Sequence, residues 1–209
     1  MWAVIRPWLF PVWCIGCGEP GIGLCAACSA SARPAGLVFD GVGVRAAGEY
    51  SGAVRDAILA LKRGERAYLD PLAALLGPMV APCTVIVPVT TTRRRAAERG
   101  FDQARELARR VARQQSATCV DLLVKRGAPQ RGRDRDARLV ARGRFALRPG
   151  VAVPARALLL DDVVTTGATL RDAAGLLAAA GCRVSGAVVV AWTPAGRETP
   201  RRGGRLVEA

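Results

Sequence analysis

Residues 158–169 read Leu158-Leu159-Leu160-Asp161-Asp162-Val163-Val164-Thr165-Thr166-Gly167-Ala168-Thr169, an apolar run that meets two adjacent carboxylates and then breaks into a hydroxyl- and glycine-rich turn. Arg156 to Leu160 has the length and branching of a buried parallel strand, and Ala168 to Ala180 has the Ala/Leu spacing of a helix ended by Gly181. The turn therefore sits where a strand hands over to a helix. Free amide N–H groups and the positive end of the helix dipole converge there and stabilise an anion. Thr165, Thr166 and Thr169 add hydroxyls, Gly167 lets the backbone approach a ligand closely, and Ala168 opens the helix.

Working outward, Thr84 to Val89 predicts a short strand followed by Thr90, Thr91 and Thr92 and the run Arg93-Arg94-Arg95. A strand that ends in a threonine-rich loop is a second place to cradle an anion. Ser51 to Arg63 carries Val54, Ile58 and Leu61 at helical spacing and projects Lys62 from its end. Leu69 to Val80 reads as a further helix, and Leu37 to Phe39 and Val42 to Ala47 as strands. Asp102 to Gln115 is amphipathic with Asp102 as its cap. Val184 to Trp192 is a continuous apolar strand. Alternating strands and helices predict an α/β fold with a parallel sheet, whose ligands collect beyond the carboxyl ends of the strands.

The chain has 209 residues, 51% of them apolar, a formal net charge of +14 and no histidine. Any general base must then be a carboxylate, lysine, tyrosine or the substrate itself. Between Arg93 and Arg144 stand 16 Lys or Arg against six Asp or Glu, which concentrates +10 of the charge in a quarter of the chain. A polyanionic partner follows, either a small phosphorylated ligand or single-stranded nucleic acid. Only Phe101 is aromatic in that stretch, which gives a non-specific nucleic-acid groove few stacking platforms. Arg126 to Arg144, rich in cations and glycine, reads as a mobile basic loop.

Cys14-Ile15-Gly16-Cys17, a seven-residue connection and Cys25-Ala26-Ala27-Cys28 form two paired-cysteine knuckles. Four thiolates at this spacing close a tetrahedron around structural zinc. Two disulfides, or packing as small apolar residues, are the alternatives. The first thirteen residues carry one basic residue and two prolines and lack a small-residue cleavage site, so a cytoplasmic protein is expected. No apolar run is long enough to span a membrane. The remaining Cys83, Cys119 and Cys182 read as packing residues.

Residues 158–169 are similar to the ribose-5-phosphate signature of the type I phosphoribosyltransferases. Tyr50-Ser51-Gly52, Leu61-Lys62, Val87-Pro88-Val89, Arg99-Gly100-Phe101-Asp102-Gln103-Ala104, Gln130, Arg138 and Phe145, with the cysteine cluster, resemble the ComF (GntX-like, competence-associated) family in order and kind. The resemblance implies a type I phosphoribosyltransferase-like parallel sheet flanked by helices. It divides the chain into a small four-cysteine zinc-binding module of double-zinc-ribbon type (1–35), the transferase-like domain (36–195) and a flexible basic tail (196–209).

It also implies a phosphoribosyl pyrophosphate site with magnesium. Asp161 and Asp162 would hold the ribose hydroxyls as the catalytic acids, and Thr165, Thr166, Gly167, Ala168 and Thr169 the 5-phosphate. Thr90, Thr91 and Thr92, supported by Arg99, would hold the pyrophosphate, with Lys62 close by. Gln130 and Arg138 would be carried in on the loop. Where transferases of 6-oxopurines place a third acid, this chain has Thr165. The resemblance therefore allows two functions: a glycosyltransferase moving phosphoribosyl to an unnamed acceptor, or a non-catalytic single-stranded DNA-binding protein of the DNA-uptake (competence) machinery with a regulatory sugar-phosphate pocket.

Overall fold

The computed structural model describes residues 12–21, 23–126 and 144–194, and the backbone alone of 205–206. Its elements run helix α1 (Ala26–Ala30), strands β1 (Ala35–Phe39) and β2 (Val42–Glu49), helix α2 (Gly52–Lys62), a 3₁₀ turn (Arg66–Tyr68) and helix α3 (Leu69–Leu76). Strand β3 (Val85–Pro88), helices α4 (Arg93–Arg99) and α5 (Gln103–Gln114), and short strands β4 (Thr118–Cys119), β5 (Leu123–Lys125) and β6 (Phe145–Leu147) follow. The order closes with β7 (Arg156–Val164), α6 (Ala168–Ala179), β8 (Arg183–Trp192) and β9 (Arg205–Leu206).

Seven strands form one sheet in the order β4-β3-β7-β8-β2-β1-β9, in which β4 through β2 are mutually parallel and β1 and β9 pair antiparallel at one edge. Strands β5 and β6 make a separate antiparallel pair. The fold is therefore mixed α/β with a mostly parallel central sheet, as expected. Both faces of that sheet are covered, and a strand buried on both sides must be apolar at nearly every position. This accounts for Ala187 to Ala191, five consecutive buried residues of β8.

One face of the sheet, at Leu158, Leu160, Val188 and Val190, packs against Val54, Ile58 and Leu61 of α2, Leu69, Leu72 and Leu76 of α3, and Leu107 and Val111 of α5. The other face, at Leu159 and Val189, packs against Leu170, Ala173 and Leu177 of α6, with Phe39, Leu123 and Phe145. Cys14 and Leu24 of the cysteine segment lie in the first of these layers beside Val54 and Ala57. The knuckle thus completes the core over α2.

Several boundaries differ from the sequence reading. Strand β7 does not stop before its acids but continues through Asp161 and Asp162 to Val164, because β8 goes on pairing beside it: Asp161 with Val189, Val163 with Ala191, Val164 with Trp192. The helix from Leu69 ends at Leu76 and tightens into a 3₁₀ turn at Gly77–Met79, where Pro78 lacks the N–H that would extend it. The arginine run folds as α4, capped by the Thr92 hydroxyl, which accepts the Arg95 N–H. Asp102 caps α5 as expected, accepting the Arg105 N–H at 3.1 Å. Gln130 and Arg138, and the tail apart from β9, lie outside the described residues. Among the described residues no helix is long and apolar enough to cross a membrane.

Candidate functional site

The site begins where two neighbouring strands part. Strand β3 pairs with β7 through Pro88 and Leu160, and the Val89 N–H then donates to the Leu160 carbonyl at 2.8 Å. Beyond that bond β3 leaves the sheet through Thr90 to Thr92, while β7 runs on for four residues held only by β8. The uncovered edge of β7, Asp161 to Val164, becomes one wall of a cleft at the carboxyl ends of parallel strands, the usual ligand position in such sheets.

The cleft is a cavity of about 170 Å³ lined by Lys62, Thr90, Thr91, Arg99, Asp161, Asp162 and Thr169, all expected from sequence, together with Arg95, Asp102, Gln103 and Lys125. Of the other expected residues, Thr92 and the turn Thr165, Thr166, Gly167 and Ala168 do not line this cavity. The turn adjoins it at the head of α6, whose second residue is Thr169.

Both acids line the cleft, but they find different cations. Asp162 pairs with Lys62 Nζ at 3.2 Å, both groups being largely shielded from water. Asp161 lies in the field of Lys125 and accepts the Asp162 N–H at 2.8 Å. Burial pushes the Asp161 carboxyl well above the usual carboxylate range, and the Asp162 charge adds to this, while the Asp162 N–H and Lys125 oppose it. The chemical result is two unlike carboxyls side by side, one paired and one strained toward its neutral form. Such a ledge accepts hydrogen bonds from a vicinal diol or oxygen-bound cations.

On the opposite wall much of the threonine loop is already engaged. The Thr90 hydroxyl donates to the Leu123 carbonyl at 3.0 Å, the Thr91 N–H donates to Asp102 Oδ2 at 2.9 Å, and the Thr92 hydroxyl caps α4. Burial raises the Asp102 carboxyl above its ordinary range even though the Arg105 and Thr91 N–H donors oppose it. Arg99 Nη1 donates to Gln103 Oε1 at 2.8 Å.

Gly167 caps α6 in the left-handed region, φ 70°, and a Cβ there would fall 2.4 Å from the Phe39 ring. Both the backbone and the packing of β1 thus require glycine at the turn. Arg144 braces the helix start from outside, donating to Thr169 Oγ1 at 3.3 Å and pairing with Asp172 at 3.1 Å.

Sequence reading missed Arg95 and Lys125. Lys125 ends a three-residue strand, held beside Thr92 by a parallel bridge and lying 5.5 Å from the Phe145 ring centroid. The apolar triplet Leu122-Leu123-Val124 before a cation was the only local signal. Arg95 was counted as part of a charge run.

Away from the cleft, the sulfur atoms of Cys14, Cys17, Cys25 and Cys28 all lie within 4.8 Å of one another. A tetrahedron with metal–sulfur bonds of about 2.3 Å has edges of about 3.8 Å, and Cys17 and Cys25 Sγ stand 3.7 Å apart. The residues present fit a tetrahedral thiolate site. Burial disfavours the Cys14 thiolate, but N–H groups of Cys25, Cys17 and Gly16 outweigh it and bring the thiol down to about 6; the sulfurs of Cys14, Cys25 and Cys17 push Cys28 up to about 12. Four sulfurs this close can ionise together only around a cation. Gly16 is required by close approach: a Cβ there would lie 2.7 Å from Cys28 Sγ and 2.8 Å from Ala53 Cβ on α2.

Fold and site define a mixed α/β protein whose parallel strands gather acids and cations at their carboxyl ends, joined to a four-cysteine cluster suited to a structural metal. The chain is 34% identical over 100 residues to competence protein ComFC of Streptococcus pneumoniae (strain ATCC BAA-255 / R6), an alignment covering 47% of this chain and 43% of that protein. It therefore spans less than half the length of that curated relative. No protein-family model matches the chain. Over those 100 residues the chain is similar to that competence protein, and its four-cysteine cluster could hold a structural metal ion.

A raised carboxyl pKa means that the folded protein binds this proton more tightly than the unfolded chain does. Stability from Asp161 is then full below the ordinary carboxylate value and is lost as pH rises toward the higher folded value. Ligand-free Asp161→Asn should melt several degrees above the parent at pH of about 7.5, with the gain shrinking toward pH of about 4. Melting curves across that range check this; a gain independent of pH would contradict it.

Proposed function

We propose that the protein binds phosphoribosyl pyrophosphate with magnesium and transfers the phosphoribosyl group to an acceptor, releasing pyrophosphate. The observation that supports this best is the cleft itself: two carboxyls on the free edge of β7, one of them paired with Lys62, share a cavity of about 170 Å³ with Arg95, Arg99 and Lys125, with the head of α6 alongside. A ligand that satisfies both walls must carry hydroxyls at one end and several negative charges at the other. A phosphorylated pentose bearing a diphosphate does so.

In this reading Asp161 and Asp162 accept the ribose hydroxyls and offer oxygens to the magnesium that accompanies the diphosphate, which lowers the charge on the leaving group. The Thr165 to Thr169 turn holds the 5-phosphate at the amino end of α6. Thr90 and Thr91 border the diphosphate, and the four cations neutralise it as the bond from the anomeric carbon to its oxygen breaks and the bond to the acceptor forms. With Thr165 where oxopurine transferases have an acid, and no histidine in the chain, the acceptor must bring a readily lost proton or give it to Asp161. In this reading the protein is cytoplasmic and its four clustered cysteines hold structural zinc as thiolates, none of the seven cysteines being disulfide-bonded.

A second reading rests on the relative's name as a competence protein. There the arginine-rich sequence 93–144 binds single-stranded DNA during uptake and the pocket is regulatory. The aromatic side chain of that stretch, Phe101, is 8% exposed and sits under the Arg66 guanidinium at 4.6 Å. It is not free to stack on bases, so the transferase reading is preferred.

Calorimetric titration of phosphoribosyl pyrophosphate in magnesium buffer should show one site per chain in the parent protein. An Asp161→Ala, Asp162→Ala variant should lose at least about tenfold in affinity, the scale of two hydrogen bonds to ionised acceptors. No binding by the parent, or equal binding by the variant, would refute the reading. For the knuckle, purified protein should carry one zinc per chain, and Cys28→Ser should lower stability by on the order of 5 kcal/mol, or about 10–20 °C in melting temperature. Metal-free protein that melts with the parent would refute that assignment.

A further inference from the structure

Gln103, the first residue of α5, is 3% exposed and lines the cleft. Arg99 donates to its Oε1 at 2.8 Å. Arginine has donors only, so the oxygen must face Arg99 and the amide nitrogen must face away. That nitrogen, Nε2, is closed off from solvent and has no acceptor among the described residues. A buried donor without a partner is unfavourable in the ligand-free protein and is expected only where something else supplies the acceptor.

Of the nearby neutral groups, Thr90 gives its hydroxyl to Leu123 and Thr91 gives its N–H to Asp102, while the Thr92 hydroxyl accepts the Arg95 N–H. The Gln103 amide is a buried donor without a partner among the described residues, on the wall that also holds Arg95 and Arg99. Its oxygen already accepts from a guanidinium, which polarises the amide and makes Nε2 a stronger donor toward an anion.

Resting on the transferase reading above, we propose that Gln103 is a ligand-binding residue whose Nε2 donates to an oxygen of the diphosphate group. It thereby distinguishes a diphosphate-bearing sugar from the same sugar phosphate without it. Contact with the diphosphate requires Nε2, closed off from solvent in this structure, to be uncovered by a shift of the Arg99–Gln103 pair. Asp161 and Asp162 then read the sugar, while Gln103 and Arg99 read the leaving group.

The test compares phosphoribosyl pyrophosphate, inorganic pyrophosphate and ribose 5-phosphate as ligands in magnesium buffer. Gln103→Met removes the donor. Gln103→Glu keeps the shape and the acceptor for Arg99 but replaces Nε2 with an oxygen, and it serves should the methionine variant fold poorly. Both variants should weaken phosphoribosyl pyrophosphate and inorganic pyrophosphate about tenfold or more, the loss of one hydrogen bond to a charged acceptor, and leave ribose 5-phosphate unchanged. Equal weakening of all three ligands would make Gln103 a structural residue and overturn the proposal, as would unchanged pyrophosphate binding. Parent protein that binds none of the three refutes the transferase reading and this inference together; binding that survives in the variants refutes the inference alone.

Discussion

The structure turns on the hydrogen bond from Val89 N–H to the Leu160 carbonyl, the last tie between β3 and β7. Up to that point the two strands form an ordinary parallel sheet with apolar side chains on both faces. Past it β7 continues with one neighbour instead of two, so its backbone edge is free and its next two side chains line the cleft. Those two are Asp161 and Asp162. A carboxylate at a fully covered sheet position would be prohibitively desolvated; at the parted edge it meets cations and room for a ligand.

Charge balance around that edge explains why the flanking elements lie where they do. Helix α2 ends on Lys62, within 3.2 Å of Asp162. The short β5 delivers Lys125 to the neighbourhood of Asp161. Helices α4 and α5 meet at Gly100, whose φ of 76° turns the chain so that Arg99 and Gln103 come within hydrogen-bond distance of each other. Acids and cations are not fully matched, since Asp161 is held toward its neutral form and Gln103 keeps an unused donor. The cleft thus holds a carboxyl short of compensating donors and an amide short of an acceptor. The cysteine knuckle stands apart from this chemistry. It adds Cys14 and Leu24 to the layer that supports α2, and so helps to hold the helix that presents Lys62.

Much of this was legible in the sequence because it depends on local rules. The strand, turn and helix at 156–179, the cap at Asp102, the cysteine spacing and Lys62 at a helix end each follow from neighbours a few residues away. Lys125 was not legible, since its place depends on a three-residue strand bridged to Thr92, more than thirty positions earlier. Arg95 was hidden because α4 buries none of its residues and has no apolar period to mark it as a helix. The extension of β7 through its acids was missed for a related reason. Polar residues look like a strand end until a neighbouring strand, here β8, is known to keep pairing with them. The second anion loop has internal bonds that sequence does not show: the Thr90 hydroxyl donates to Leu123, the Thr91 N–H to Asp102, and the Thr92 hydroxyl accepts the Arg95 N–H.

The most direct test of the parted-strand site is a structure determined after soaking with phosphoribosyl pyrophosphate and magnesium. The sugar should be found between Asp161–Asp162 and the Arg99–Gln103 wall, with its 5-phosphate against the Thr165–Thr169 turn. Density for the ligand elsewhere, or a cleft closed by the protein's own side chains, would contradict the site.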